Sequence, residues 1–390
     1  MRSGTTAEMA SASTALRAEV VTSRKELELH APQWNELLAS SRADAIFLTW
    51  EWLSTWLDTV YPEARLFVVV VRERGGRLVA AAPFYRSDLR LLGLVKYRCL
   101  RVIGDCQSGA EYGDIIVRHG FEDAAGACIV ETLLKDPGAW DCLWFCNVAG
   151  WTGAGGHLRD TCQRYGLHLR ERARDFSFVK LPPTHAAYLG LLSRNAREQV
   201  RRKTRRFQES HDIGFVRCAA GEELPLRLAD LFVLHRQRWE SVGQRGSFVR
   251  RPPMQRFYES FAPVALRRGW LRLYSLRVDG RTRAVQYGYA YGGAFHQLQE
   301  GYEPEGYDGI GNVLRNLVVE KCIEEGLEEY DFLGEFTEHK RRWGAQRREG
   351  SDLLIGRRSL KNRLLFSRRI WPGGRFLKEG RPASEGRSHD

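Results

Sequence analysis

The segment from residue 329 to 344, EYDFLGEFTEHKRRWG, begins as an apolar strand and turns abruptly into a run of charged residues. Asp331 and Glu335 carry carboxylates that can accept a proton, and Lys340 can stabilise a developing negative charge. Glu300 ends an earlier strand and is a further candidate base. These four residues are therefore candidate catalytic groups. Other roles also fit, since Asp331 could fix a turn or pair with an arginine, and Lys340 could be a solvated charge.

A second candidate site is the sequence Gly309-Ile310-Gly311-Asn312, which falls where a strand is predicted to pass through a loop into a helix. Small residues at such a junction let backbone N–H groups approach a phosphate at the positive end of the helix. These four residues are candidate cofactor-binding residues. By itself the Gly-x-Gly pattern equally fits a flexible turn.

The elements that must position these groups occur twice along the chain. Residues 67–86 and 272–291 each read as two β-rich runs joined by a turn, Gly75-Gly76 in the first and Asp279-Gly280 in the second. An apolar helical run and an Asp-containing strand follow each hairpin. The repetition predicts an α/β (α+β) protein of two tandem units, each a mixed, mostly antiparallel sheet flanked by helices.

The second unit has the clearer pattern. After the hairpin come a strand at 294–302, a turn-rich loop, and a helix from Ile310 that Gly326 should end. The strand around Asp331, the charged segment and a last strand near 351–356 follow. The predicted order is therefore β-β-β-α-β-α-β.

Changes in composition predict the boundaries of these units. Two adjacent prolines, Pro182 and Pro183, mark the join, and a strongly basic helix capped by Ser193 follows them. The predicted segments are a disordered leader (1–20), a first unit (21–182), a basic linker helix (183–210), a second unit (211–358) and a basic tail (359–390).

The net charge of +12 is concentrated in two of these segments. Residues 193–210 carry seven basic and two acidic side chains, and residues 356–378 carry eight basic and no acidic ones. Such segments suit an anionic partner: a phosphate-bearing cofactor, tRNA or another nucleic acid, an anionic carrier, or a membrane surface. No apolar run approaches the roughly 20 residues of a transmembrane helix.

The cysteines and the motifs that are missing narrow the function further. Eight cysteines without a small-scaffold spacing favour free thiols in a reducing cytoplasm. Cys142 and Cys146 lie too far apart along one strand to share a metal, so no metal site is expected. The motifs of serine hydrolases, zinc proteases and P-loop proteins do not occur in the sequence.

At the Gly309–Asn312 junction the second unit resembles the GNAT acyltransferase fold. In that fold a Gln/Arg-x-x-Gly-x-Gly loop between a strand and a helix binds the pyrophosphate of acyl-coenzyme A. The segment GYDGIG (306–311) keeps both final glycines, but Gly306 stands where the fold has Gln or Arg.

The charged strand end resembles a more specific family. YDFLGEFTEHKRRWG is similar to the Asp-Phe-x-x-Gly-x-x-x-x-Lys-x-x-Trp/Phe-Gly signature of the BioF2-like or CelD-like acetyltransferases, which are related to the Fem-type peptidoglycan aminoacyltransferases. Three other segments are also similar: FLTWEWLSTW (47–56), LSRNAREQVRRKTRRF (192–207) and LHRQRWESVGQRGSF (234–248).

The resemblance implies an N-acyltransferase that takes an acyl group from an acyl thioester, acyl-CoA (acetyl-CoA), as co-substrate. It places the donor in the second unit and an amine of an envelope, polysaccharide or small-metabolite acceptor in the cleft between units. Lys340 then matches the family's lysine, and Trp52, Arg238 and Trp239 are candidate substrate-binding residues. Trp52 also fits a role as a core aromatic.

Two other functions stay open. A Fem-like transferase would take its aminoacyl group from aminoacyl-tRNA and use the basic helix to bind RNA, so its binding would weaken with salt. A protein without catalytic activity could bind nucleic acid or an anionic membrane surface through charge alone. All three fit a cytoplasmic protein, including one attached to the inner face of the membrane.

Overall fold

The computed structural model describes residues 16–105, 108–367, 370–371 and 377–379. Most of the predicted leader (1–20) and much of the predicted basic tail (359–390) lie outside these residues. The strands are β1 (Arg17–Val21), β2 (Arg65–Arg72), β3 (Leu78–Leu91), β4 (Val95–Val102), β5 (Ile116–Val117), β6 (Cys142–Ala149), β7 (His168–Lys180), β8 (Ile213–Arg217), β9 (Leu271–Val278), β10 (Arg281–Tyr291), β11 (Ala294–Tyr302), β12 (Glu329–Gly334), β13 (Gln346–Gly356) and β14 (Leu377–Glu379).

Helices cover the sheet and connect its strands. They are α1 (Arg24–Glu28), α2 (Ala31–Ala39), α3 (Trp50–Thr59), α4 (Glu122–Lys135), α5 (Ala154–Arg164), α6 (His185–Leu191), α7 (Arg194–Ser210), α8 (Leu224–Glu240), α9 (Ser247–Arg250), α10 (Pro252–Arg267), α11 (Ile310–Glu324), α12 (Glu338–Arg342) and α13 (Leu360–Ser367). Within the described ranges, no helix is both long enough and apolar enough to cross a bilayer.

Local sequence explains why several elements begin and end where they do. Ser193 caps α7, as predicted, by accepting a hydrogen bond from the backbone N–H of Ala196. Asp279 and Gly280 both have positive φ, which is the geometry of a tight hairpin turn between β9 and β10. Gly326, also at positive φ, follows the end of α11. The predicted β-β-β-α-β-α-β order of the second unit is confirmed by β9, β10, β11, α11, β12, α12 and β13.

The strands of the described residues form one 14-stranded sheet whose main path is β1-β2-β3-β4-β6-β13-β7-β12-β11-β10-β9-β8, with β5 and β14 both pairing β3. This order is symmetric about its centre. Strands β2, β3, β4 and β6 of the first half correspond to β9, β10, β11 and β12 of the second. In both halves the last two strands run parallel, β4 beside β6 and β11 beside β12, and a helix connects them. The tandem arrangement of two related α/β units is confirmed.

At the centre of the sheet the two halves exchange a strand. The strand β7, from the first half, pairs with β12 of the second, and β13, from the second half, pairs with β6 of the first. The exchanged strands then pair with each other along the whole of β13, from Gln346 opposite Phe178 to Gly356 opposite His168. Asp352, fully buried, joins three of these strands by accepting hydrogen bonds from Asn147 N on β6 and from Arg172 on β7.

Glycine sets the spacing between α8 and β11. A Cβ at Gly301 would contact the backbone N of His235 and lie 2.7 Å from the carbonyl carbon of Leu234, both on α8. The helix can pack this close only because residue 301 has no side chain. The contact brings Arg238 of α8 against Glu300 of β11.

We expect Gly301→Ala to destabilise the protein by about 1–3 kcal/mol, the usual cost of overpacking, because two backbones would have to separate. Urea denaturation followed by tryptophan fluorescence measures the loss. Gly190→Ala is the matched control, since a Cβ at this position of α6 meets nothing within 4 Å. Equal stability of the two variants would show that α8 can move away from β11 without cost.

Candidate active site

Strands β11 and β12 form a fork. They pair over three residues only, from Ala294 opposite Glu329 to His296 opposite Asp331, and then separate, although β11 continues to Tyr302 and β12 to Gly334. Beyond the last pair, each strand has one edge that faces the fork. Backbone N–H and C=O groups along such edges can bind the amide groups of an extended ligand.

Glu300 lies in a buried cluster of charges on the β11 side of the fork. Its carboxylate pairs with Arg315 of α11 and, at 2.9 Å, with Arg238 of α8, and it accepts a hydrogen bond from Gln297 Nε2 at 2.9 Å. Burial raises the pKa of Glu300, but the two guanidinium groups outweigh it and lower the pKa to about 2. A carboxylate with so low a pKa is a weak proton acceptor. The geometry therefore favours an anchoring role over the predicted role of base.

Asp331 is also fully buried and lies at the branch point of the fork. One oxygen, Oδ2, accepts hydrogen bonds from Tyr112 (2.6 Å) and Arg348 (2.7 Å) and lies 3.2 Å from His296 Nδ1. Oδ1 accepts one from the backbone N–H of Leu333 at 2.8 Å. Burial raises its pKa, but the hydrogen bond with His296 and the charge of Arg348 outweigh this, so the pKa lies below its ordinary value. Asp331 is therefore an ionised group that orients its neighbours.

Lys340 holds the end of β12 in place. Its ammonium donates to the backbone carbonyls of Phe332 (3.0 Å), Gly334 and Glu335 (2.8 Å). Burial lowers the pKa of Lys340 to about 8. The negative charges of Glu111, Asp331 and Glu335 act in the opposite direction and favour its charged form. The family's lysine thus stabilises the turn that follows β12, close to the fork.

Glu335 lies within this turn. Leu333 and Glu335 both have φ of +60°, a left-handed conformation that is uncommon for residues other than glycine. The backbone of Glu335 is fixed by two residues of β7, since its N–H donates to Asp175 O (2.8 Å) and its carbonyl accepts from Ser177 Oγ (2.7 Å). Its side chain is exposed. The structure does not bring this carboxylate into the Glu300 or Asp331 cluster.

The predicted glycine loop lies at the start of α11, against the basic helix α7. Gly309 is the N-cap, with φ of +85°, and a Cβ there would lie 2.7 Å from Lys203 Nζ. The lysine ammonium also pairs with Asp308, at 3.2 Å. A cation from α7 therefore stands beside the loop whose own first position, Gly306, carries no charge.

Two cavities meet at Lys203. One, of about 500 Å³, is lined by α7, by Asn312 of the loop, and by His339 and Trp343 beyond the fork. The other, of about 580 Å³, lies between α7 and the loop and is lined by Arg202, Arg206 and Tyr307 among others. The surface around the first turn of α11 is thus strongly positive. Ile310 is buried in the core, and Gly311 packs against the ring of Tyr302.

The chain resembles known proteins in part of its sequence and in its fold. Residues 194–341, from α7 to α12, match the model of the family described as acetyltransferase (GNAT) domain. This segment belongs to the GNAT family. Both the fork and the basic loop lie within this segment, and the fold of the chain is that of a GNAT-type acyltransferase.

Solved structures share the fold at low sequence identity. FemX is 10% identical, with a TM-score of 0.61, over 90% of this chain and 99% of that one. Two structures have lower TM-scores, 0.49 for L-PGS from Bacillus licheniformis and 0.45 for a tandem GNAT protein from the clavulanic acid biosynthesis pathway. They are 14% and 12% identical and cover 89% and 88% of this chain, and 96% and 98% of their own. A search of curated protein sequences finds no match.

The predicted substrate-binding residues fall in two different environments. Trp52 is fully buried, and its indole packs against Phe257 and Phe261, so it belongs to the core of the molecule and has no surface for a ligand. Arg238 and Trp239, both partly buried in the GNAT domain, lie together. Arg238 pairs with Glu300 and stacks over Trp239, whose Nε1 donates to His235 Nε2 at 3.0 Å.

Four residues that sequence reasoning did not single out complete the two clusters: Arg315 beside Glu300, and Tyr112, His296 and Arg348 around Asp331. Arg315 follows the glycine loop and occupies a helix position that otherwise carries apolar residues, which is a usable signal for a buried ion pair. Tyr112 belongs to the first half of the chain. No local pattern connects it with the GNAT domain.

Proposed function

We propose that the protein is an N-acyltransferase that moves an acyl group from an acyl thioester, acyl-CoA, to an amine. One observation carries the proposal: the fork between β11 and β12 lies in the same domain as a helix start surrounded by cations. An extended thioester arm fits between the separated strands, and the phosphates of its carrier fit the positive surface at Lys203.

The basic helix supplies the charge that the loop lacks. Lys203, Arg202 and Arg206 all line the cavity beside Gly306, where the GNAT loop has Gln or Arg. The cations of α7 thus take the place of the Gln or Arg that the loop lacks. This supports coenzyme A as the donor in spite of the altered loop. The acceptor is an amine of an envelope, polysaccharide or small-metabolite molecule.

We expect Lys203→Glu to weaken binding of acetyl-CoA at least about tenfold, since a charge-assisted contact with phosphate becomes a repulsion. Isothermal titration calorimetry with acetyl-CoA measures the change. Arg205→Glu is the matched control, because it makes the same charge change on the same helix. Unlike Lys203, Arg205 points to solvent, where it lies near Glu209. Equal loss in both variants would indicate general charge attraction rather than a site.

A second candidate donor is aminoacyl-tRNA, and the length of the basic face of α7 favours it. Besides Lys203, this helix carries six arginines. The same calorimeter decides between the donors, because binding of tRNA to such a surface should weaken steeply as salt is raised. Tight binding of acetyl-CoA with weak, strongly salt-dependent binding of aminoacyl-tRNA supports the thioester. The reverse result supports the Fem-like reaction.

A further inference from the structure

A separate cavity of about 430 Å³ lies between the two units. Its wall includes Asp44, Asp114 and Trp151 from the first unit, and His296, Glu329 and Arg348 from the second. Because His296 and Asp331 form the last pair before β11 and β12 separate, His296 stands between this cavity and the fork. A molecule in the cavity would therefore meet the ring of His296 on the side that faces away from the fork.

Asp114 is the most unusual group in this wall. It is 3% exposed, and its Oδ1 accepts a hydrogen bond from the backbone N–H of Ile115 at 2.7 Å. In the described part of the chain, no group donates a hydrogen bond to its Oδ2. Burial raises the pKa of Asp114 to about 7. A buried carboxylate without a counter-ion lowers the stability of the fold, and a cationic ligand would neutralise it.

The other charged groups of the wall do not neutralise Asp114. Arg348 is already paired with Glu329 at 2.6 Å and with Asp331 at 2.7 Å, and it stacks over Trp151. Asp44 accepts a hydrogen bond from Tyr291 Oη. Lys180 and Glu328 also line the cavity, both in exposed positions, and carry opposite charges. The cavity as a whole is therefore acidic, with aromatic rings beside the carboxylates.

His296 is placed to accept a proton from a ligand in this cavity. Its Nδ1 faces Asp331, which fixes the ring and favours the tautomer with the proton on Nδ1. The ring also lies edge-on to Phe47, with centroids 5.9 Å apart. Nε2, on the opposite side of the ring, then carries the lone pair, and the described residues give it no hydrogen-bond donor. Asp331 is a positioning residue, and His296 is the group that touches the substrate.

We propose that this cavity binds the acceptor, an amine that carries a second positively charged group, with Asp114 holding the second charge and His296 accepting the proton of the reacting amine. The assignment rests on the proposed N-acyltransferase function. In the reaction His296 Nε2 takes one proton from the ammonium, and the neutral nitrogen attacks the acyl carbon. The C–N bond forms, the C–S bond breaks, and the thiolate leaves and takes up the proton that the nitrogen loses as the amide forms.

Binding of two simple amines tests the cavity without any donor. Calorimetry of the full chain with diaminobutane and with butylamine, which differ by one ammonium group, should show at least about tenfold tighter binding of the diamine. Asp114→Asn should remove this preference. Asp160→Asn, the same charge change on the exposed side of α5, should keep it. Equal binding of the two amines, or a preference that survives Asp114→Asn, would overturn the assignment.

Turnover tests the role of His296. With acetyl-CoA and diaminobutane as substrates, His296→Gln should lower kcat at least about a hundredfold, while the affinity for diaminobutane changes little. A kcat close to that of the unmodified protein would reject His296 as the base. If the unmodified protein transfers no acyl group from any thioester, the proposed function fails, and the calorimetric preference still decides what the cavity binds.

Discussion

Replacing Asp114 with asparagine is expected to make the protein more stable at pH 8, by about 2 kcal/mol. Burial raises the pKa of this carboxyl from 3.8 to about 7, so keeping it ionised in the fold at pH 8 costs about 4 kcal/mol. An amide avoids that cost, but its own N–H groups need hydrogen-bond acceptors. Burying them without acceptors destabilises the fold by roughly 1–3 kcal/mol.

The sign of the pH dependence follows from the same shift. Since the folded pKa lies above the unfolded one, the contribution of Asp114 to stability is fully present below about pH 4 and is lost as the pH rises to about 7. Urea denaturation at several pH values should show this loss in the unmodified protein and not in Asp114→Asn. If the variant is less stable at pH 8, or if both proteins share one pH profile, Asp114 is not an unpaired buried acid.

A larger effect of the opposite sign is expected for Glu300→Gln. This change leaves two guanidinium groups, of Arg315 and Arg238, facing each other without a carboxylate between them, and the side chain of Arg315 is only 3% exposed. Removing one partner of a buried ion pair costs about 3–5 kcal/mol, because the remaining charge keeps its desolvation cost. Thermal unfolding followed by circular dichroism should show a clear fall in Tm.

Glu338→Gln is the matched control. Glu338 also pairs with two arginines, Arg341 and Arg342, but on an exposed surface of α12. Water screens such pairs, so the same substitution should change stability little. If Glu300→Gln unfolds at the same temperature as this control, the Glu300 cluster contributes nothing to the fold, and a role in catalysis becomes the better account of it.

Much of the second unit could be predicted because its signals are local. The turn Asp279-Gly280, the apolar positions of α11 and the abrupt change after β12 each lie within a few residues of the element that they define. The strand exchange could not be predicted this way. Pairing of β7 with β12 and of β6 with β13 joins segments that are far apart in the sequence, and either strand would satisfy the same alternation of side chains at another position in the sheet.

The candidate site divides in the same manner. Asp331 and Lys340 were identified from sequence, because a strand end rich in charge is visible in one short segment. Their neighbours were not: Tyr112, which binds Asp331, lies 219 residues away in the chain. Glu300 was identified, yet its partners change its chemistry. A pattern of residue types shows that a carboxylate is present, whereas its ability to take up a proton depends on the cations that the fold places beside it.

The exchange of β7 and β13 determines how the two halves depend on each other. Removed from its partner, the second half would retain β13 but lose both of that strand's neighbours, and β12 would have one bare edge where β7 had been. Bare edges of this kind attract other strands and lead to aggregation. Each half of this molecule therefore depends on strands of the other half. A domain excised between the two units would leave strand edges unpaired that only the other half can cover.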